Sequence, residues 1–371
     1  MSSRPIKLLQ LVTYYKGYLR DFYDSHPQLK MASFADQISS LEADGFGEIH
    51  TYANPLKRFG FDTMHVIANN DWSQGAWLRE NGIPIAAVAS APDVALKQIE
   101  SFAPEIVYTL NVEEFSSPYF RRLSRPPSLL VGWRGFPLKP DSDLSAFDLI
   151  LTSFDRIERE ATERGARHVA RFHPGFNAAS SVLREPREIE WDVVVSGTVT
   201  REHQQRIAII NMLAELSRDP AAPFRLGLFL PDASALSPLA QSLNRGARWA
   251  NDMFRLLRRS RIVVNIDVDS FGGQPPNMRL IEATGVGALL LTTYHSDLEK
   301  FFEPGAEVET FRTPQELISK LYFFLSSPEA GEQIARRGQE RCLRDHNLDG
   351  RAAWLSQIVR DALERKANSA V

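Results

Sequence analysis

The chain has 371 residues, 43% of them hydrophobic, and carries 43 Lys and Arg against 46 Asp and Glu for a net charge of −3. That length and apolar content suffice for two ordinary domains with their own cores, which excludes a small stapled protein or a disordered one. The balanced charge excludes a protein whose main partner is a nucleic-acid backbone or an anionic membrane, so any bound phosphate has to be met locally. The single cysteine, Cys342, allows neither an intramolecular disulfide nor a cysteine-based zinc site, and a cytoplasmic location is expected. The first apolar run is broken at Gln10 and predicts no secretory signal, and no run reaches the roughly 18 apolar residues of a membrane-spanning helix.

Short β-branched or Leu-rich runs alternate with stretches of helical period along the whole chain, the pattern of parallel sheets covered by helices. The predicted class is α/β. In the first half strands are expected at residues 7–12, 63–68, 83–89, 105–110, 129–133 and 148–152. Helices are expected at 32–44 before Gly45, 93–102 before Pro104, and 156–163 before Gly165. Around Arg171 the rhythm breaks into a polar stretch with Pro174, Gly175 and Pro186 that reads as a domain boundary. A second series follows: strand 192–196, helix 203–217, strand 225–230, helix 250–259, strand 261–266, helix 277–284, strand 288–292, and helices 314–325 and 329–345. The expected division is a domain over 1–172, a linker over 173–190, a second domain over 191–350, and a last helix within 351–371 that packs back on the first domain. Two Rossmann-like doubly wound domains in tandem place a cleft between them, because ligands in such sheets sit beyond the carboxyl ends of the strands.

The most informative stretch is SFGGQPPNMRLIEATGVGALLLTT, residues 270–293, where a Gly/Pro loop leads into a short helix, a Gly turn and an apolar strand. Asn277 and Arg279 fall in the helix's first turn, where unpaired N–H groups and the positive end of the dipole favour an anion such as a diphosphate. Glu282 follows three residues later on the neighbouring face, a carboxylate suited to ribose hydroxyls. A capped surface helix with an Arg/Glu ion pair accounts for the same spacing.

The motif NMRLIEATGVGALLLTT resembles the Asn-x-Arg and Glu-Ala-x-Gly-x-Gly-Ala element of the GT-B glycosyltransferases, and within them the spore-maturation-protein-like (CgeB-like) group. Further matching pieces are FDLILTS at 147–153, FHPGF at 172–176, VVVSGTVTREHQQR at 193–206 and IARRGQERCLRDH at 334–346. The resemblance implies transfer of a sugar from a nucleotide-activated donor, held mostly by the second domain, to an acceptor held mostly by the first. It implies that Glu282 accepts the ribose hydroxyls, that Asn277 and Arg279 face the diphosphate, and that Gly197 lets the first loop of the second domain approach it closely. Thr198, His203 and Arg206, with Ser196 and Arg201, cluster at the same strand-to-helix junction as donors to phosphate or sugar, and a solvated first helical turn is their alternative. Asp267-Val268-Asp269 spells the Asp-x-Asp that binds a divalent cation in the other large glycosyltransferase fold. Its position deep in the second domain favours a polar loop instead, so no metal or other cofactor is expected, and arginines with the helix dipole neutralise the leaving diphosphate.

An acceptor hydroxyl has to lose its proton as it attacks the anomeric carbon, so an inverting enzyme needs a base on the acceptor side, whereas a retaining one does not. Asp71 is the favoured base because it follows the strand at 63–68 with Asn69, Asn70 and Trp72 beside it; Asp21, His65 and Glu113 are the other options. Tyr14 and Tyr18 follow the first strand and offer rings for sugar stacking, or pack within the first helix. Trp133 ends another strand and is expected on the acceptor side. His173 marks the hinge, and Arg255, Arg258, Arg259 and Arg261 read as a basic exposed face. The expected partners are a nucleotide-sugar donor and a glycan, lipid-linked or protein acceptor. Two further readings share the architecture: a nucleotide-sugar epimerase, and a non-catalytic nucleotide- or sugar-binding module.

Overall fold

The computed structural model describes residues 4–201, 203–266 and 278–369. The chain divides into two compact units, one formed by Met1–Gly45, His50–His173 and Asp349–Val371, the other by Phe46–Ile49 and Pro174–Leu348. The first unit contains β1 (Ile6–Val12), α1 (Lys16–Ser25), α2 (Phe34–Asp44), α3 (Ala53–Leu56), β2 (Phe61–Ile67), α4 (Asp71–Glu80) and α5 (Ala91–Phe102). It continues with β3 (Ile106–Thr109), α6 (Ser117–Phe120), β4 (Leu129–Trp133), β5 (Leu149–Thr152), α7 (Asp155–Glu163) and β6 (Val169–Arg171). All six strands are parallel, in the order β2-β1-β3-β4-β5-β6. Parallel strands covered on both faces need apolar side chains on both, and the buried residues Leu8, Leu9, Leu11 and Val12 of β1 meet that requirement. Helix α2 shows how local chemistry sets the ends: Ser33 accepts the Asp36 N–H at its start, and Gly45 takes φ +84° at its end.

The second unit contains β7 (Trp191–Ser196), α8 (Gln204–Leu216), β8 (Leu226–Phe229), α9 (Pro238–Leu243), α10 (Ala250–Arg258), β9 (Ser260–Asn265) and α11 (Met278–Gly285). It ends with β10 (Leu289–Thr293), β11 (Glu309–Phe311), α12 (Pro314–Ser326) and α13 (Pro328–Asp345). Its five strands are again all parallel, ordered β11-β10-β9-β7-β8. Helix α8 packs Ile209, Ile210 and Leu213 on the face formed by Val193, Val195, Ile262 and Val264. Helix α11 packs Leu280, Ile281 and Ala283 on the opposite face, against Val194 and Val263. Each sheet therefore has its own two-sided core.

The last helix, α14 (Leu348–Ser369), belongs with the first unit from Asp349 onward. Arg360 donates to the Phe59 carbonyl at 2.8 Å, Lys366 reaches the buried carboxylate of Asp148 at 2.7 Å, and Asp349 pairs with Arg58.

Two sequence expectations need correction, and one short strand went unread. Residues 83–89 form no strand: the N–H groups of Ala87 and Val88 bond back to the carbonyls of Pro84 and Ile85, which uses up the donors a ladder would need. Ile85 is left 69% exposed. The polar stretch after Arg171 is preceded by β6, an edge strand of three residues, and contains a single 3-10 turn at Ser181–Arg184. The arginines read as a basic surface instead bind that stretch and the start of β7. Arg255 pairs with Glu185 at 2.8 Å, Arg258 donates to the carbonyls of Leu183 and Glu185, Arg259 pairs with Glu190, and Arg261 pairs with Asp192.

Candidate functional site

In the second sheet β7 lies between β8 and β9, and the helices that follow β7 and β9 cover opposite faces. Such a reversal of winding opens a crevice at the carboxyl ends of the two strands, where ligands of doubly wound sheets bind. The chain leaves β7 through Ser196 and Gly197. Gly197 has φ +118°, a region L side chains rarely adopt, and an added Cβ would lie 3.0 Å from Nη2 of Arg206. Arg206, in the first turn of α8, is only 6% exposed, and its Nη2 donates to the Ser196 carbonyl at 3.0 Å. The guanidinium is thus folded over the end of β7 while Ser196 Oγ is buried with no hydrogen-bond partner among the described residues. His203 closes the loop by accepting the Thr200 N–H on Nδ1 at 3.1 Å, which leaves its proton on Nε2. Thr198 is exposed beside it.

After β9 the segment 267–277, with Asn277 and the Asp267-Val268-Asp269 string, lies outside the described residues. Helix α11 then brings Arg279 and Glu282 together as an i, i+3 pair at 2.8 Å. Glu282 is 4% exposed. Its burial pushes the carboxyl pKa above the usual value, and the charge of Arg279 opposes that rise. Arg279 also places Nη1 2.9 Å from Sδ of Met253 on α10. The crevice of the second unit is therefore flanked by two largely buried guanidinium groups, the starts of two helices and one desolvated carboxylate, a donor-rich lining suited to a diphosphate and its ribose.

In the first unit the expected residues are spread out. Asp71 is the exposed first residue of α4, capped by Asn70, and follows the edge strand β2. Trp133 ends β4, three strands away, about 14 Å of sheet at the usual strand spacing. Tyr14 and Tyr18 are buried against each other, with ring centroids 5.8 Å apart, and Tyr18 donates to Asp44 at 2.8 Å. Their rings belong to the packing of α1. Glu113 is paired with Arg134 at 3.3 Å and accepts from Ser142, His65 bonds Glu42 at 2.9 Å, and Asp21 pairs with Arg20.

Two groups have no signal in the sequence. His50 is buried beneath Trp133 at a centroid distance of 4.2 Å, and desolvation lowers its pKa to about 4, so its ring is neutral at pH 7. Glu48, in the second unit, accepts from Asn177, and burial raises its pKa to about 7. Both lie in a single 3-10 turn, Glu48–His50, too short to carry a periodicity that would mark them as buried.

Residues 212–357 match the family model described as Glycosyl transferase-like. No curated protein shows significant sequence similarity to the chain. Solved structures align over almost its whole length. Sucrose-phosphate synthase from Thermosynechococcus elongatus covers 97% of this chain and all of its own, at 10% identity and a TM-score of 0.57. A glycosyltransferase from Rickettsia africae covers 97% of this chain and 99% of its own, at 11% identity and a TM-score of 0.60. Anabaena HepE, solved in complex with UDP-glucose, covers 96% of this chain and all of its own, at 14% identity and a TM-score of 0.60. The matched family segment runs from α8 into α14 and includes Arg279 and Glu282, and the two parallel sheets with their helices have the fold of the GT-B glycosyltransferases.

Proposed function

We propose that the protein is a glycosyltransferase that moves a sugar from a nucleotide-activated donor to an acceptor hydroxyl in glycan or glycoconjugate synthesis, without a metal ion. The observation that carries this is the crevice between β7 and β9, where Arg206 and the Arg279–Glu282 pair stand at the starts of α8 and α11. In this reading the donor's diphosphate takes hydrogen bonds from the two guanidinium groups and from N–H groups at the helix starts. Glu282 keeps Oε2 on Arg279 and accepts the ribose hydroxyls on Oε1. As the bond from the anomeric carbon to the phosphate oxygen breaks, negative charge grows on the diphosphate, and cations fixed beforehand stabilise it without reorganisation. Two arginines supply the charge that a divalent ion supplies elsewhere. The acceptor oxygen forms the new glycosidic bond as the bond to phosphate breaks, and its proton passes to a base on the acceptor side or to an oxygen of the departing diphosphate.

The resemblance to the CgeB-like group and a cytoplasmic location belong to the same proposal; the motif around Glu282 supports the first and the lone, buried cysteine the second. The complex of HepE with UDP-glucose makes UDP-sugars the first donors to try. Purified protein titrated with UDP-, GDP-, dTDP- and ADP-sugars is expected to bind at least one at micromolar to millimolar concentration and to release its nucleoside diphosphate. Binding of none at millimolar concentration refutes the reading.

A further inference from the structure

The first sheet repeats the winding of the second. Its order β2-β1-β3 places the reversal between β1 and β3: Gln10 of β1 bonds the backbone of residues 50–53 on one face, while Leu9 and Leu11 pack with α5 on the other. The crevice of this unit therefore opens where Thr13 leaves β1 and Asn111 follows β3.

The loop after β3 is anchored from below. Val112 and Phe115 are buried, and Gly132 of β4 makes room for the first, since a Cβ there would come within 2.6 Å of Val112 Cγ1. With those two side chains turned inward, Glu114 turns outward and Asn111 is half-buried at the rim, whereas the Glu113 side chain is largely covered. Glu113 is already engaged with Arg134 and Ser142. Glu114 is exposed, and its Oε2 is held at 2.9 Å by Asn111 Nδ2, which also donates to Thr13 Oγ1 at 3.1 Å. The amide thus ties the ends of β1 and β3 together and aims one carboxylate over the gap between them. Partial burial raises the Glu114 pKa, opposed by the charge of Lys16. Two aromatic rings are exposed at the same edge of the sheet: Tyr15 after β1, 62% exposed, and Phe136 after β4, 52% exposed, with the Arg134 guanidinium 6.0 Å from the Phe136 ring centroid.

We propose that Glu114, positioned by Asn111 and Thr13, is the acceptor subsite of the first unit and takes the hydroxyl groups of a saccharide whose ring lies against these exposed aromatic faces. A carboxylate accepts from two neighbouring hydroxyls at once, and charge-assisted hydrogen bonds are the stronger kind. An aromatic face supplies apolar surface for the C–H side of the sugar. The inference rests on the transferase reading and adds the place and chemistry of the acceptor.

The test uses p-nitrophenyl hexosides as probes, titrated by saturation-transfer NMR in the presence of UDP. The wild type is expected to bind at least one hexoside at millimolar concentration. Glu114→Gln should weaken it at least tenfold, Tyr15→Ala at least threefold, and Glu114→Asp by an intermediate factor, with UDP affinity unchanged within twofold. Hexoside binding that is unaltered in Glu114→Gln, or absent from the wild type while UDP binds, overturns the inference. Failure of every nucleotide to bind the wild type would refute the transferase reading by a separate measurement.

Discussion

Gly197 and Arg206 show how one backbone angle positions a charge. Only a residue without a Cβ sits easily at φ +118° 3.0 Å from a guanidinium, so Gly197→Ala both strains the loop and displaces Arg206. That variant is expected to lose about 1–3 kcal/mol in urea unfolding and to bind the nucleotide about tenfold more weakly by calorimetry. Arg279 and Glu282 form the second such unit. Arg279→Ala strands a buried carboxylate, and removing one partner of a buried pair costs about 3–5 kcal/mol, whereas Arg279→Lys keeps the charge and recovers part of it. Urea midpoints of the three proteins check this. A third case is set by pH. The Glu48 carboxyl has a pKa of about 7 in the folded state against 4.5 for the ordinary side chain, so the folded state binds the proton more tightly. Its contribution is fully present below pH 4.5 and is lost as pH rises through 7, up to about 3 kcal/mol. Glu48→Gln should abolish that loss, so its stability advantage over the wild type grows between pH 5 and 8; an advantage that stays flat contradicts the assignment.

At the scale of elements, the strands were the most legible part of the sequence. Runs such as residues 129–133 and 261–266 are apolar on both faces because parallel strands are covered on both, and β4 and β9 appear there within a residue at each end. Residues 83–89 have the same composition without a neighbouring strand to pair with, and composition does not reveal partners. Helix α4 escaped the reading because polar residues blur its apolar period, whereas α1, which buries Tyr18, Leu19, Phe22 and Tyr23 along one face, entered only as the alternative setting for Tyr14 and Tyr18. The pairing of Arg279 with Glu282 could be read because chemistry and spacing coincide on α11. Glu113 and Glu114 could not be told apart, since adjacent carboxylates differ only in which way Val112 and Phe115 turn the loop. Close helix packing is equally hidden. Gly338 of α13 lies where a Cβ would meet the Glu307 carbonyl at 2.1 Å, and Gly285 of α11 where it would meet the Phe176 ring at 2.3 Å. Alanine at either site is expected to cost about 1–3 kcal/mol through overpacking, seen as a lower urea midpoint.

For the whole molecule, the notable element is α14. It buries Ala352, Leu355, Val359 and Ala362 and is fastened by Arg360 and Lys366 to groups from the first half of the chain. Deleting residues 349–371 should make the first unit sensitive to limited proteolysis while the second, whose sheet lacks none of its strands, stays protected; equal cleavage of both would contradict this division. The milder Lys366→Ala leaves Asp148 with Arg167 and the Leu130 N–H and should cost about 1 kcal/mol. The route of the chain also bears on its synthesis. A ribosome makes the opening lobe early but delivers its closing helix only after all 175 residues from Pro174 to Leu348 have emerged. At about 5–20 residues per second that delay is roughly 10–35 s, during which an unsealed apolar strip on the nascent polypeptide is a natural client for chaperones.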